Sequence, residues 1–113
     1  MDFQKTKAEI TPKELKERLD KGEDLIILDI REPQELSICK LKNTRHIPMG
    51  ELAQRLNELE DYKNRDIVVY CRSGGRSGQC VHYMRQHGFN GALNLSGGIL
   101  AWSDDVDPSV QKY

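Results

Sequence analysis

The sequence lacks most of what would mark a membrane, secreted or nucleic-acid-binding protein. Its apolar runs last only a few residues, far below the roughly 20 that cross a bilayer. The opening stretch, Met1 to Lys7, has no apolar centre of the kind a signal peptide carries. Its three cysteines are an odd number for a disulfide framework. These absences predict a cytoplasmic protein, held in a reducing compartment, with no membrane partner. Seventeen basic residues against eighteen acidic leave a net charge of -1. That balance excludes a general affinity for nucleic acid and confines any positive site to a local patch. No repeat, low-complexity segment or linker interrupts the chain. At 113 residues it has enough surface to bury one core and no room for a second full domain, so residues 1–113 read as a single domain.

What is present alternates between buried strands and amphipathic helices. Thr11-Pro12-Lys13-Glu14 opens a helix: Thr11 caps it, Pro12 suits the first helical position, and Glu14 completes a capping box. Leu15 and Leu19 face inward, and Gly22 stops it. "DLIILDI" (Asp24 to Ile30) has the near-continuous apolar centre of a strand buried on both faces, and Pro33 ends it. "TRHIP" (Thr44 to Pro48) is a shorter strand, followed by a helix on which Leu52, Leu56 and Leu59 recur. After the polar connection Asp61 to Asp66 comes a second buried strand, Ile67 to Tyr70. A helix beginning near Arg76 carries Cys80, Val81 and Met84 on one face and stops at Gly88. Ala92 to Leu95 forms the next strand, and Gly97-Gly98 leads to a short last helix bearing Trp102. This order predicts an α/β fold with parallel strands, right-handed crossovers and helices on both faces. Ligands of such sheets bind beyond the carboxyl ends of the strands, where Asp29 and Cys71 both fall.

The segment "VVYCRSGGRSGQC" (Val68 to Cys80) concentrates the chemistry. A free thiol with a pKa near 8.5 is only about 3% thiolate at pH 7, and the thiolate is the nucleophile. Cys71 ends a strand, the chain turns through Ser73-Gly74-Gly75, and a helix begins. The residues Arg72 to Ser77 are therefore placed to wrap the sulfur with inward-pointing N–H groups, in conformations that glycine permits. The helix N-terminus adds partial positive charge, and Arg72 and Arg76 add a cationic field. Other features read more plainly. Cys39 and Cys80 read as structural or incidental. The three histidines and three cysteines do not make a zinc site, since no two cysteines have the two-residue gap of a structural centre. Asn94-Leu95-Ser96 matches a glycosylation acceptor by accident, and Glu58-Leu59-Glu60-Asp61 is a solvated helix end. Gly78, inside a helix, lowers helix propensity by about 1 kcal/mol without an evident return.

Four separated motifs, "DIREPQE" (Asp29 to Glu35), "HIP" (His46 to Pro48), "IVVYCRSGGRS" (Ile67 to Ser77) and "NLSGGILAW" (Asn94 to Trp102), resemble in order and spacing the landmarks of rhodanese-like sulfurtransferases. The resemblance runs from about Thr11 to Trp102. It implies a central parallel sheet of about five strands and a cysteine, matching Cys71, that takes up sulfane sulfur as a persulfide from thiosulfate or from a persulfide protein such as a cysteine desulfurase. It implies no metal and no organic cofactor. Arg72 matches a position suited to an anionic donor; Arg76 either faces the sulfur or braces the loop. Asp29 and Arg31 match a strand-end motif with a supporting role, and Trp102 either packs near the site or simply fills the core.

Two rival readings accompany this one. Cysteine phosphatases and arsenate reductases also wrap a thiolate in N–H groups, but their signature places one residue more between cysteine and arginine than the four separating Cys71 from Arg76. A catalytically idle rhodanese-like module, acting as a binding or regulatory platform, would be expected to have lost the cysteine or its glycines. A closer likeness lies in "ELSICKLKNTRHIPMGEL" (Glu35 to Leu52), with Arg45 where relatives more often carry glycine, and in the ending "AWSDDVDPSVQKY" (Ala101 to Tyr113). Both are similar to the C-terminal rhodanese domain of adenylyltransferase/sulfurtransferases of molybdopterin, thiamine and thiolated-tRNA pathways. That likeness implies a ubiquitin-like sulfur-carrier protein as acceptor and an adenylyltransferase domain as partner.

Overall fold

Five short parallel strands carry the whole architecture, and their order follows from which segments are apolar on both faces. The computed structural model describes residues 8–113; the polar stretch Met1 to Lys7, which argued against a signal peptide, lies outside the described residues. In chain order the elements are β1 (Glu9–Ile10), α1 (Pro12–Asp20), β2 (Ile26–Asp29), α2 (Pro33–Leu36), β3 (Arg45–His46), α3 (Leu52–Arg55), β4 (Ile67–Tyr70), α4 (Gly75–Gln86), β5 (Ala92–Leu95) and α5 (Gly98–Asp105). The sheet order is β1-β5-β4-β2-β3, with every pairing parallel. Central β2 and β4 are buried at every position, as their unbroken apolar runs require.

Alternation along those strands divides the core in two. Ile26, Leu28, Ile67 and Val69 point to one face, where they meet Val81 and Met84 of α4 and Leu52 and Leu59 of the preceding helical segment. Ile27, Val68 and Tyr70 point to the other, where Leu15 of α1 and Ile99 and Trp102 of α5 cover them. Trp102 therefore fills the core of the second face. Cys71 continues the first face, whereas Asp29 and Arg31 continue the second.

The elements differ from the sequence expectations mainly at their edges. The Thr11 capping box forms as expected, with Thr11 N–H donating to Glu14 Oε1 at 2.9 Å and Glu14 N–H to Thr11 Oγ1 at 3.1 Å. The expected helix over Leu52 to Leu59 is a composite: a 3₁₀ turn at Met49–Glu51, one α-turn, then 3₁₀ geometry over Leu56–Tyr62. Leu52 and Leu59 are buried as predicted. The strand expected over Thr44 to Pro48 pairs in register only at Arg45 and His46; beyond them the Ile47 N–H donates to the Asp29 carbonyl at 3.0 Å and the Met49 N–H to the Ile30 carbonyl at 2.9 Å without extending the ladder. Pro33, expected only to end a strand, instead starts α2, the position in a helix where a missing N–H is tolerated. Strand β1 was not anticipated; two residues are too few to show periodicity. Among the described residues no helix is long and apolar enough to cross a membrane.

The carboxyl end of β2 is fixed by a buried charge pair. Asp29 and Arg31 are both fully buried, with Arg31 Nη2 donating to Asp29 Oδ2 at 2.8 Å and Nε to Oδ1 at 3.0 Å. Tyr70 on β4 donates its hydroxyl to the same Asp29 Oδ2 at 2.6 Å. Arg31 Nη2 also donates to the Cys39 carbonyl at 2.7 Å, tying down the long loop between α2 and β3. Burial works against the guanidinium charge, but Asp29, together with the Tyr113 hydroxyl and Tyr70, more than offsets it and Arg31 is held firmly protonated. Replacing one partner leaves the other charge buried without compensation. Asp29→Asn is thus expected to lower unfolding free energy by about 3 kcal/mol or more, read by urea denaturation; a change below about 1 kcal/mol would deny the pair this role.

Candidate active site

The thiol of Cys71 sits at the end of β4 against the first turn of α4, and the intervening loop closes around it. The residue is 1% exposed. Gly74 N–H donates to Sγ at 3.1 Å and Ser77 N–H at 3.4 Å, while Ser77 Oγ lies 3.2 Å from the sulfur. Ser73 contributes a further backbone hydrogen bond. The turn needs Gly74, whose φ of 104° lies in the left-handed region that side-chain-bearing residues avoid. Burial pushes the thiol pKa up, but hydrogen bonds from Ser77, Gly74 and Ser73 outweigh it, and the net effect is to hold Cys71 below its ordinary value.

A second loop supports the first. Gly97 and Gly98 start α5 at positive φ, and α5 donates the Ile99 N–H to the Cys71 carbonyl at 2.9 Å and the Leu100 N–H to the Arg72 carbonyl at 3.1 Å. A Cβ on Gly98 would stand 2.4 Å from the Arg72 carbonyl oxygen, so only glycine permits this approach. The "SGG" of the fourth motif thereby clamps the backbone on either side of the sulfur's attachment point. Asn94 on β5 completes the clamp: its Nδ2 donates to the Gly74 carbonyl at 3.1 Å and to Glu9 Oε2 at 3.0 Å, and its Oδ1 accepts from Ser77 Oγ at 2.6 Å.

The arginines occupy the rim of the cradle. Arg76 forms a bidentate pair with Glu35 of α2, Nη1 to Oε2 at 2.7 Å and Nη2 to Oε1 at 2.9 Å. Of the two roles left open for it, bracing is the one the geometry supplies. Glu35 also accepts from the Tyr113 hydroxyl at 2.6 Å and from the Glu32 N–H at 2.9 Å. Arg76, with these donors, holds the Glu35 carboxyl down at about 2, despite partial burial. Arg72 donates to the main-chain oxygen of Tyr113 and lies over its ring. Tyr113 accepts from Arg31 Nη1 at 2.9 Å as well, so one aromatic side chain links both arginine systems.

Of the residues predicted for the site, Cys71 to Ser77 come together around the sulfur, while Asp29 and Arg31 lie on the opposite face of the sheet. They meet the loop through Tyr113 and Glu35 rather than through the thiol. Cys80 is buried on the same face as Cys71 and its pKa is pushed up to about 11, chiefly by burial, leaving it a protonated thiol. A groove of about 830 Å³ runs along the other face beside Leu19, Cys39 and Trp102 and includes none of the loop residues. Glu35, Asn94 and Tyr113 were not assigned to the site from the sequence. For Glu35 a signal existed, in the proline followed two residues on by glutamate at a helix start; nothing local marks Tyr113.

A closed cradle of hydrogen-bond donors around one cysteine sulfur, at the carboxyl end of a five-stranded parallel sheet, defines a class as well as a site. The chain belongs to the Rhodanese-like domain family, which it matches over residues 11–105. It is 41% identical over 102 residues to a sulfurtransferase of Allochromatium vinosum, covering 90% of this chain and 94% of that protein. It is 34% identical over 120 residues to the adenylyltransferase and sulfurtransferase MOCS3 of Arabidopsis thaliana, covering 94% of this chain and 26% of that one, about a quarter of its length. The crystal structure of SSP1007 from Staphylococcus saprophyticus matches with a TM-score of 0.79 at 31% identity, covering 91% of this chain and 97% of the other. The resemblance read from the four motifs is thus confirmed at the level of family and fold, including the likeness to the rhodanese portion of the adenylyltransferase/sulfurtransferases.

Two measurements check the electrostatics. Alkylation of Cys71 by iodoacetamide should be half-maximal below the free-thiol value of about 8.5, with Cys80 unmodified near neutral pH; a Cys71 midpoint at or above that value would contradict the cradle. Glu35→Gln should lower stability at pH 7 by about 1 kcal/mol, discounted for the exposure of Arg76. The folded pKa of Glu35 lies below its ordinary 4.5, so its contribution is full above that value and is lost as pH falls towards about 2. The difference between wild type and Glu35→Gln in urea should therefore shrink over that window, and a constant difference would contradict the assignment.

Proposed function

We propose that Cys71 carries sulfane sulfur as a persulfide and that the protein is a sulfurtransferase acting through it. The observation that carries this reading is the set of donors converging on one buried sulfur from Gly74, Ser77 and the Ser77 hydroxyl. The Cys71 thiolate attacks the outer sulfur of a donor such as thiosulfate. A new S–S bond forms, the donor's S–S bond breaks, and sulfite leaves with the electron pair. The negative charge then rests on the outer sulfur of the Cys71 persulfide, beside amides already oriented for an anion. An acceptor nucleophile attacks that outer sulfur, and Cys71 departs as the thiolate it was. No redox cofactor or metal enters this cycle.

The rim suits an anionic donor or a protein one. Arg72 already holds an oxygen, the main-chain oxygen of Tyr113, and exchanging that partner for a donor oxyanion keeps the same geometry. Phosphoryl chemistry is disfavoured by Arg76: transfer of a phosphoryl group needs positive charge over its equatorial oxygens, and this guanidinium is committed to Glu35. The adenylyltransferase/sulfurtransferase relatives extend the proposal to the acceptor. In that reading the outer sulfur of the persulfide is itself the nucleophile: it attacks the acyl-adenylated C-terminus of a small ubiquitin-like carrier, supplied by an adenylyltransferase domain, and AMP leaves. A thiol reductant, oxidised to its disulfide, cleaves the resulting acyl disulfide into a thiocarboxylate and the Cys71 thiolate, while a cysteine desulfurase persulfide replaces thiosulfate as donor. A reducing, cytoplasmic setting keeps Cys71 available for this cycle.

Incubation with thiosulfate should add the mass of one sulfur atom to the Cys71 peptide, removable by cyanide as thiocyanate or by dithiothreitol. Cys71→Ser should lose the adduct and at least about 1,000-fold in transfer rate. A Cys71→Ser protein as fast as wild type would end the proposal, and phosphate release from a phosphoester without thiocyanate formation would favour a phosphatase instead. Absence of both activities, with one partner specifically bound, would favour the idle platform.

A further inference from the structure

Asn94 and Gly78 are left without a part in the chemistry above, and together they define one. The Ser77 hydroxyl is fully buried and has a single proton, yet it lies between two groups that can accept it: Asn94 Oδ1 at 2.6 Å and Cys71 Sγ at 3.2 Å. The orientation of the Asn94 amide is fixed independently, because both Nδ2 protons have acceptors in Glu9 Oε2 and the Gly74 carbonyl. Oδ1 must therefore face Ser77. Gly78, one turn into α4, keeps the space: a Cβ there would stand 3.3 Å from Asn94 Nδ2, tighter than ordinary packing allows. The glycine that lowers helix propensity makes room for the amide.

We infer that Asn94 is a positioning residue that competes with Cys71 for the Ser77 hydroxyl proton and so sets the balance between thiolate and persulfide. With a neutral thiol the hydroxyl donates to Asn94, the shorter contact. When Cys71 ionises, the hydroxyl turns its proton to Sγ, and the buried Oδ1 loses its donor. When sulfur is loaded, the charge moves to the outer sulfur, the inner sulfur becomes a poor acceptor, and the hydroxyl returns to Asn94. The hydroxyl rotates at each stage and no proton leaves it. Asn94 thereby raises the free energy of the thiolate relative to both the thiol and the persulfide, keeping the empty site reactive and the loaded site stable. This inference rests on Cys71 being the sulfur carrier. The other titratable or charged groups near the thiol are Arg76 and Cys80 from α4, Arg72 in the loop and, beyond Asn94, Glu9 from β1.

The test is the pH profile of Cys71 alkylation, which needs no sulfur transfer. Asn94→Leu removes the competing acceptor, and the midpoint should fall by about 0.5 to 1 pH unit. Asn94→Asp offers a stronger acceptor, and the midpoint should rise by a similar amount. The fall with Asn94→Leu should vanish in a Ser77→Ala background, where no hydroxyl remains to share, and the rise with Asn94→Asp should shrink to the part that the new carboxylate charge produces directly. Loosening of the loop would instead move both variants in the same direction, towards free cysteine. Two variants shifting alike, or shifts that persist undiminished with Ser77→Ala, would overturn the inference. A measurement on the unaltered protein guards against poorly folded variants: the ¹³C shift of the Asn94 side-chain carbonyl should titrate with Cys71 and stay flat in Cys71→Ser. A flat response in wild type would also overturn it. Normal alkylation shifts with no loading of Cys71 from either thiosulfate or a cysteine desulfurase persulfide would refute the sulfur-transfer reading while leaving the competition for the Ser77 proton intact.

Discussion

The backbone between Cys71 and Ser77 has to close on a single sulfur atom within hydrogen-bonding distance, and the rest of the site follows from that closure. A turn so tight cannot be held by its own residues. It is pinned from three directions: α5 bonds the carbonyls of Cys71 and Arg72, Asn94 bonds the carbonyl of Gly74, and Arg76 anchors the start of α4 to Glu35. The α5 bonds give the Cys71 and Arg72 carbonyls their partners, and Asn94 adds a second donor to a Gly74 carbonyl already bonded by the Gly78 N–H. The partly exposed Arg76–Glu35 pair fixes the start of the helix, so the turn is held in place from outside itself.

The pleat of the sheet divides the labour. Residues that alternate along β2 and β4 point to opposite sides, so the thiol and the Asp29–Arg31–Tyr70 cluster grow from the same strand ends yet never share a face. One side handles a reactive anion, and the other fixes the strand ends and the loop carrying Cys39. Tyr113 connects them at the rim, touching Arg31, Glu35 and Arg72. The arginines are consequently worth less as direct partners of the sulfur than as braces. Amide hydrogen bonds aimed at the sulfur hold the Cys71 pKa down, and the guanidiniums tie the rim to Glu35 and to the main-chain oxygen of Tyr113.

Much of this was legible in the chain because it is written in local patterns. Unbroken apolar runs identified β2 and β4, the Thr11 box marked the start of α1 to the residue, and the glycines and serines after Cys71 gave the cradle. The composite helix after Pro48 was misread as regular because Leu52, Leu56 and Leu59 satisfy an α-helical spacing that 3₁₀ geometry also tolerates over short lengths. Strand β1 and helix α2 are too short for periodicity to reveal. Gly78 looked like a defect because its reason, the amide of Asn94, arrives from a strand sixteen residues further along the chain.

The sequence by itself determined the family, the parallel α/β class and the thiol with its ring of amides, since each depends on neighbours within a few residues. Only the tertiary structure decided which face each side chain occupies, that Arg76 turns to Glu35, and that Asn94 and Tyr113 reach the site at all. Those choices depend on distances between segments far apart in the chain, and such distances are set by packing and register, which no local pattern encodes.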